Sequence, residues 1–461
     1  MNPTVRFDAA LPAGTPEVPV AIVGAGACGL TAAIFVRERG IDCVLLERDA
    51  LPQGSTALSS GFIPAAGTRV QHEAGVIDDS PERFAADIQA KARGTAAPHL
   101  VAAYTQAIAS AIDALQSRHG LPFELLDGFL YPGHRARRMH TLPQRTGAAL
   151  VAALDAVATR AGATLLTDAL VHQLVCNADG QVIGLGFRRP DGSDEWLACQ
   201  TLLLASNGFG GNPAMVQDWL PEMQHATYAG HGGNDGSAIA WGRQLGARLA
   251  DLGGYQGHAS WAVPHGVLIS WALMVEGGIQ VNREGRRFHD ETAGYSEASV
   301  QVLAQPDGVA WNVFDDRLLA LGRSFPDFVQ AEAAGAVRSA ADVAALAGII
   351  GCDAAVLAST LAGTRLQAPW FAIRVTGALF HTQGGLDIDA QCRVLREDGT
   401  PLPNLLAAGG AARGVSGNAV WGYLSGNGLL SALAGGYISA QTIASVASSP
   451  RGAPGHPERS T

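Results

Sequence analysis

The chain has few of the residues that mark disulfide-bonded or metal-binding proteins. Its 461 residues include six cysteines, and no two of them form a Cys-x-x-Cys pair. They are Cys28, Cys43, Cys176, Cys199, Cys352 and Cys392. This scatter predicts reduced, mostly buried thiols and excludes a disulfide framework. Because no His-x-x-x-His pair or acidic loop with ligand spacing occurs either, no metal site is expected.

Charged residues and long apolar runs are also scarce. Only 16% of residues are charged, and the net charge of −10 leaves no basic surface for nucleic acid. The apolar stretch 262–275 contains Pro264 and His265 and is too short to span a bilayer. Residues 1–19 lack the basic and apolar regions of a signal peptide and predict a short arm. We therefore expect a cytoplasmic protein without membrane insertion.

Glycine and apolar residues, in contrast, are abundant. The chain has 57 glycines, and 48% of its residues are apolar. Its length allows two or three domains with large cores, and the glycine content is typical of an α/β protein with many tight turns.

A glycine fingerprint lies near the N-terminus, where residues 20–29 read Val-Ala-Ile-Val-Gly-Ala-Gly-Ala-Cys-Gly. Gly24 permits a tight strand-to-helix turn, Gly26 lets the backbone approach a pyrophosphate, and Gly29 lets the helix pack on the sheet. Glu47 follows Gly29 at the end of the next apolar strand, where it suits ribose hydroxyls and would repel a 2′-phosphate. A purely structural glycine turn would not explain Glu47, so the pattern predicts a dinucleotide site.

The remaining pattern predicts a nucleotide domain that is split in sequence. Helical periodicity covers residues 81–93, 98–118 and 144–161, and residues 164–188 resemble a β-hairpin. After residue 254 the chain becomes irregular and rich in tryptophan, and from residue 375 it returns to glycine-rich strand and helix patterns. We therefore predict a Rossmann-like α/β domain from residues 1–254 and 375–447, an inserted α+β cap from residues 255–374, and a mobile tail at 448–461. The basic run 135–138 is interpreted as a solvated loop.

Several segments together resemble the flavoproteins that include fumarate reductase flavoprotein subunits and 3-ketosteroid Δ1-dehydrogenases. The similarity covers nearly the whole chain. The matching segments are residues 20–47, 55–62, 207–212, 234–236, 285–288, 382–385 and 406–409.

The resemblance implies FAD as the cofactor. Members with covalent flavin carry a histidine in the loop after the fingerprint, and this loop has none, so non-covalent FAD is expected. The loop at residues 55–61 would bind the pyrophosphate and the flavin edge, and Val171 would contact the adenine. The implied cofactor-binding residues are Gly24, Gly26, Gly29, Glu47, Arg48, Ser55, Thr56, Ser59, Ser60, Gly61, Val171, Asn207, Gly208, Asp235, Gly409, Gly428 and Leu429.

The two branches of the family differ in their catalytic residues. Fumarate reductases resemble this chain at His381, and their matching histidine binds a substrate carboxylate. Their catalytic arginine, however, would align with Gly294 of this chain. Ketosteroid dehydrogenases carry active-site tyrosines that match Tyr295 and Tyr423 and, in a looser alignment, Tyr131. The catalytic pattern is therefore closest to ketone α,β-desaturases of the ketosteroid, cyclohexanone or 4-oxocyclohexanecarboxylate type.

The resemblance implies FAD-dependent desaturation of a small cyclic ketone. Tyr423 would hold the ketone oxygen and Tyr295 would remove the α-proton with help from Tyr131, while the β-hydride passes to flavin N5. An oxo-acid is preferred if His381 binds a carboxylate. The electrons would pass to a quinone, a dye or oxygen. Two alternatives remain open: an ene-reductase acting on an unsaturated carboxylic acid, and a flavin subunit that needs a separate electron-transfer partner.

Overall fold

The computed structural model describes residues 3–448, and its strands are distributed along that whole range. In chain order they are β1 (Thr4–Arg6), β2 (Glu17–Val23), β3 (Cys43–Leu46), β4 (Ile63–Pro64), β5 (Glu124–Leu125), β6 (Met139–Thr141), β7 (Thr164–Leu166), β8 (Leu170–Cys176), β9 (Val182–Arg188), β10 (Asp194–Leu204), β11 (Thr227–Tyr228), β12 (Leu249–Ala250), β13 (Tyr255–Ala262), β14 (Val267–Leu268), β15 (Ile279–Val281), β16 (Val309–Asp315), β17 (Arg338–Ala340), β18 (Trp370–Thr382), β19 (Gly385–Leu386), β20 (Arg393–Leu395) and β21 (Pro401–Ala407).

The helices alternate with these strands. They are α1 (Ala27–Arg37), α2 (Gly54–Ala57), α3 (Arg69–Glu73), α4 (Pro81–Lys91), α5 (Pro98–His119), α6 (Gly147–Arg160), α7 (Pro213–Trp219), α8 (Ser237–Gln244), α9 (Ala272–Val275), α10 (Tyr295–Leu303), α11 (Asp316–Gly322), α12 (Pro326–Ala333), α13 (Val343–Ile350), α14 (Ala354–Ala362) and α15 (Asn427–Ser448).

The larger sheet forms the nucleotide domain and unites both ends of the chain. Its parallel part has the order β21-β10-β2-β3-β7, and the β8–β9 hairpin continues the sheet beyond β10. The buried residues of β2, β3 and β10 are apolar, as expected for strands in the interior of a parallel sheet. β21 comes from the C-terminal part of the chain, so the predicted split Rossmann-like domain is confirmed.

The turn between β2 and α1 has the geometry that the fingerprint predicts. Gly24 has a φ of +104°, which disfavours any residue with a side chain. A Cβ atom on Gly29 would lie 1.9 Å from the carbonyl oxygen of Gly24, so the helix can pack this closely only with glycine at position 29. Buried Leu30 and Ile34 then anchor α1 to the sheet, and burying each side chain contributes about 1.5–3 kcal/mol.

The smaller sheet forms the cap and is centred on β18. Antiparallel β13 and β16 pair with β18, and β14 and β15 extend the sheet on either side. The predicted boundary between residues 374 and 375 lies within β18, which continues to Thr382 beside the nucleotide domain. α10 packs on β13. One uninterrupted strand therefore connects the core of the cap to the cavity between the two domains.

The N-terminal segment differs from the prediction, and the C-terminal tail lies almost entirely outside the described residues. The predicted N-terminal arm contributes β1, which pairs in parallel with β8. A strand of three residues in a polar segment has no periodicity by which the sequence could reveal it. The predicted tail at residues 448–461 lies outside the described residues, except that its first residue ends α15.

The long helix α15 is apolar because it lies inside the nucleotide domain. Residues Asn427–Ala447 are long and apolar enough to cross a membrane, with a mean hydropathy of 1.3, but 67% of that window is buried. The helix packs on α1 and α5. By the same criteria α13 and α14 could form one broken span, although the pair bends by 114°. Core helices pass the same test, so both findings are weak evidence for a membrane segment.

Candidate active site

A long cavity of about 1940 Å³, counting its open mouth, lies between the nucleotide domain and the cap. One end is formed by the β2–α1 turn and the end of β3. The other end is formed by aromatic residues of the cap and by the segment before α15. Of the predicted cofactor residues, Gly29 and Gly208 pack behind the wall and the others line it. The cavity therefore runs from the dinucleotide fingerprint to the predicted catalytic residues.

At the fingerprint end, the charged side chains are held by backbone groups. The buried carboxylate of Glu47 accepts hydrogen bonds from the backbone N–H groups of Ala25 (2.9 Å) and Asp49 (3.1 Å). Burial raises the pKa of Glu47. Arg48 donates to the carbonyl oxygen of Gly233 (2.8 Å) and lies 3.3 Å from Asp235. These residues are fixed in place before a ligand arrives.

The middle of the cavity fits a diphosphate and its sugars. Gly26 is open toward the cavity, because a Cβ atom there would have only the hydroxyl of Thr56 as a near neighbour, at 3.5 Å. The buried hydroxyl groups of Ser206 and Ser431 also line the cavity and have no hydrogen-bond partner in the described structure. Buried hydroxyls normally have partners, so a polar ligand is expected to supply them. The residues present therefore fit FAD.

At the cap end, three tyrosines from separate elements come together. Tyr295 is the first residue of α10, and its ring centroid lies 6.2 Å from that of Tyr131 and 6.2 Å from that of Tyr423. The imidazole of His258 on β13 stacks on Tyr295 at 4.6 Å. All four side chains line the cavity. The structure thus brings together the three tyrosines that the resemblance singled out.

The hydroxyl groups of Tyr295 and Tyr423 belong to one hydrogen-bond network, and that of Tyr131 has a separate partner. Burial raises the pKa of Tyr423, while hydrogen bonds from the backbone N–H groups of Gly428 and Gly426 and from Tyr295 oppose the rise. Burial and the neighbouring Tyr423 raise the pKa of Tyr295, and a hydrogen bond with Ser425 opposes that rise. Burial raises the pKa of Tyr131 to about 12, and a hydrogen bond with Ser270 opposes this increase.

His381 lies beside Tyr423 as a neutral side chain. Burial lowers the pKa of His381 to about 4. Nδ1 of His381 lies 3.2 Å from the side-chain amide nitrogen of Gln383 and 3.2 Å from the carbonyl oxygen of Thr382. Nε2 faces Gly428. A neutral imidazole offers no positive charge for a carboxylate.

Charge is unevenly distributed along the cavity. Among the described lining residues, Arg48 is the only lysine or arginine, and it lies near the fingerprint. The aromatic end contains the carboxyl group of Asp327, and burial raises its pKa. This end therefore lacks the cations that proteins use to bind carboxylates.

Several lining residues at the aromatic end were not anticipated from the sequence. They are His258, Ser270, Trp271, Phe325, Asp327, Gln383 and Ser425. Ser425 lies two residues after Tyr423, and Gln383 lies two residues after His381. Both could therefore have been found from the segments that the resemblance singled out. The others lie on separate cap elements and carry no motif.

The prediction of a solvated loop at residues 135–138 is wrong for Arg138. Its side chain is fully buried, and its guanidinium forms ion pairs with Asp79 (2.7 Å) and with Asp87. Arg138 also donates to Nδ1 of His134, so Nε2 of His134 carries the proton and donates to the carbonyl oxygen of Ser425 (3.0 Å). The acids come from distant positions, which is why the basic run alone suggested solvent.

Replacing Arg138 with methionine should strongly destabilise the protein. The change leaves Asp79 buried without a counter-charge and Asp87 with the exposed Arg135 as its remaining partner, so we expect the free energy of unfolding to fall by about 3–5 kcal/mol. Denaturant unfolding at a fixed FAD concentration measures the change. Arg137 pairs with Asp127 near the surface, so Arg137→Met is the control and should cost about 1 kcal/mol or less. Equal stability of the two variants would contradict the prediction.

The fold and this cavity together define a FAD-dependent oxidoreductase. The chain belongs to the FAD binding domain family, whose model matches residues 19–429. The predicted fold, family and cofactor are therefore confirmed.

Similar proteins fall into both branches that the sequence suggested. A probable fumarate reductase of Shewanella frigidimarina is 26% identical, with 95% of this chain and 77% of the relative aligned. A 4-oxocyclohexanecarboxylate 2-dehydrogenase of Sinomonas cyclohexanicum is 24% identical, with 94% of each chain aligned. The crystal structure of a 3-ketosteroid-Δ4-(5α)-dehydrogenase from Rhodococcus jostii RHA1 matches with a TM-score of 0.76 and 25% identity, over 96% of this chain and 100% of that chain.

Proposed function

We propose that the protein oxidises a CH–CH group next to a ketone, converting a cyclic ketone into its α,β-unsaturated form. The observation that carries this proposal is the network of Tyr295, Tyr423 and Ser425 beside the start of α15, in a part of the cavity where no described lining residue is a lysine or an arginine. Desaturation needs a group that polarises the carbonyl and a base for the α-proton. Bound FAD supplies the acceptor for the β-hydride.

Tyr423 is suited to polarise the ketone. Its oxygen accepts from the backbone N–H groups of Gly426 and Gly428 and from the hydroxyl of Tyr295, so its own proton is free to be donated to the ketone oxygen. These donors are fixed by the start of α15 and strengthen the hydrogen bond as negative charge develops on the ketone oxygen. Nε2 of His381 faces Gly428 on the same side.

Tyr295 is suited to take the α-proton. A buried phenol is a weak base unless its anion is stabilised. The hydrogen bond with Ser425 stabilises the phenolate of Tyr295, and the stacked His258 is neutral because burial lowers its pKa to about 3. Tyr131 lies edge-on against the same ring. As the α-proton arrives, the hydroxyl proton of Tyr295 can pass along its hydrogen bond to Tyr423, and Tyr423 in turn donates its own proton to the ketone oxygen.

The relatives named above support both directions of this chemistry, but the charge of the site favours ketone oxidation. Reduction of an unsaturated acid requires recognition of a carboxylate, and the aromatic end offers the neutral His381 and the acidic Asp327. The electrons from the ketone would leave through a separate acceptor such as a quinone, a dye or oxygen.

Anaerobic mixing of the FAD-loaded protein with cyclohexanone tests the proposal. We expect the visible absorbance of the flavin to bleach, because the ketone delivers two electrons, and the product to be cyclohexenone. Deuterium at the α-carbon should slow the bleaching, since α-proton removal is part of the reaction. A flavin that stays oxidised with saturated ketones, but is reoxidised from its reduced form by an unsaturated acid, would favour the ene-reductase alternative.

A further inference from the structure

One acidic side chain at the aromatic end of the cavity has no role in the proton transfer described above. Asp327 is the second residue of α12, directly after Phe325 and Pro326, and it lines the cavity together with Phe325. Ser60 and Tyr131, from earlier segments of the chain, interact with it. Ser60 forms a hydrogen bond that opposes the rise in its pKa, and the charge of Asp327 raises the pKa of Tyr131.

Asp327 retains most of its capacity to accept hydrogen bonds. A carboxylate offers about four acceptor sites, and Ser60 uses one of them. Asp327 forms no ion pair with any described lysine, arginine or histidine. Burial without a counter-charge is unfavourable for an anion, so a ligand group that donates hydrogen bonds would stabilise it.

We propose that Asp327 determines substrate specificity, and that the substrate is a cyclic ketone carrying a hydrogen-bond donor, an ammonium or a hydroxyl group, on the ring side away from the ketone. The inference rests on the proposed ketone oxidation. Tyr295 contacts Tyr423 on one side and Tyr131 on the other, and Asp327 acts on Tyr131, so a small ring with its ketone oxygen at Tyr423 that extends along Tyr295 would turn its far side toward Asp327. A carboxylate at that position would face a second carboxylate with no cation beside it.

Binding of four matched ketones tests this assignment. The probes are cyclohexanone and its 4-amino, 4-hydroxy and 4-carboxylate derivatives, added anaerobically to the FAD-loaded Tyr295→Phe variant so that turnover does not interfere. The shift of the flavin absorbance on binding gives each dissociation constant. We expect the 4-amino and 4-hydroxy ketones to bind about tenfold or more tightly than cyclohexanone, and the carboxylate to bind more weakly than cyclohexanone.

Variants at position 327 show whether the preference comes from this side chain. Asp327→Asn should remove the advantage of the amino ketone, and Asp327→Lys should make the carboxylate the tightest ligand. Asp316→Asn removes an exposed acid elsewhere on the cap and should leave all four constants unchanged. If Asp327→Lys does not fold, the Asp327→Asn comparison still decides the question.

The failure of this inference can be told from the failure of the proposed function. Binding of all four ketones without a donor preference, or tightest binding of the carboxylate by the protein with Asp327 intact, would overturn the specificity role alone. If none of the ketones perturbs the flavin of this variant or bleaches that of the protein with Tyr295 intact, the proposed ketone oxidation fails and this inference fails with it.

Discussion

Replacing Tyr295 with phenylalanine should lower the turnover number for ketone desaturation by about 10²- to 10⁴-fold, the usual contribution of a general base. The variant loses one hydroxyl group from the network with Tyr423 and Ser425. The ring and its stacking on His258 remain, so the cavity keeps its shape. FAD content should be unchanged, because Tyr295 is on the cap and the dinucleotide contacts are on the other domain.

Steady-state turnover and the flavin-to-protein absorbance ratio check this prediction together. The matched control is Tyr437→Phe on α15, where the ring packs edge-on against Phe35 in the nucleotide domain. That variant should keep the turnover of the unmodified protein. Unchanged turnover in the Tyr295 variant would remove Tyr295 from the mechanism. Loss of FAD together with turnover would mean that the side chain supports the fold rather than the reaction.

Acid should destabilise the protein well before its carboxylates are protonated. Burial lowers the pKa of His134 to about 4, of His140 to about 4 and of His258 to about 3. In the unfolded chain a histidine has a pKa of about 6.5. Below pH 6.5 the unfolded chain therefore binds protons that the folded chain excludes. Each of these histidines makes its whole contribution to the free energy of unfolding above pH 6.5. As the pH falls further, that contribution decreases by about 1.4 kcal/mol per pH unit until the pKa of the folded state is reached.

Denaturant unfolding between pH 7 and pH 4.5, at one fixed FAD concentration, measures this loss. His140 donates from Nδ1 to the carbonyl oxygen of Arg138 (2.9 Å) and lies 2.7 Å from the hydroxyl of Thr68, so the folded protein holds it neutral. His140→Gln should reduce the slope by about 1.4 kcal/mol per pH unit, and the exposed His72→Gln should not change it. Equal slopes in both variants would contradict the prediction, as would an imidazole of His140 that titrates near pH 6.5 in the folded protein.

The cofactor half of the site was predictable from the sequence because its determinants are local. The turn at Gly24, the packing at Gly29 and the carboxylate of Glu47 all belong to one β–α–β unit, so their spacing alone carries the geometry. The return of strand and helix patterns near the C-terminus likewise indicated β21 and α15. Both predictions needed only periodicity and the conformational demands of glycine.

In the substrate half of the site, only the residues that match family motifs were predictable. Tyr295 and Tyr423 were named from that resemblance, and the structure shows their rings in contact. His258, Asp327 and the ion pairs of Arg138 could not be predicted, because their partners lie tens to hundreds of residues away. Such pairings depend on how β13, α12 and α4 fold against other elements, and no local pattern records them.

The division of the cavity between two domains has a consequence for how such enzymes diversify. Tyr295 and Asp327 lie on the stretch between β13 and β18, whereas Glu47 precedes that stretch and Tyr423 follows it. Recombination that exchanges the inserted stretch would replace the proposed base and the proposed specificity residue in one event, and the tyrosine proposed to bind the carbonyl and the predicted cofactor contacts would be inherited intact. Because β18 ends at His381 and Thr382, such an exchange would also have to preserve the register of that single strand.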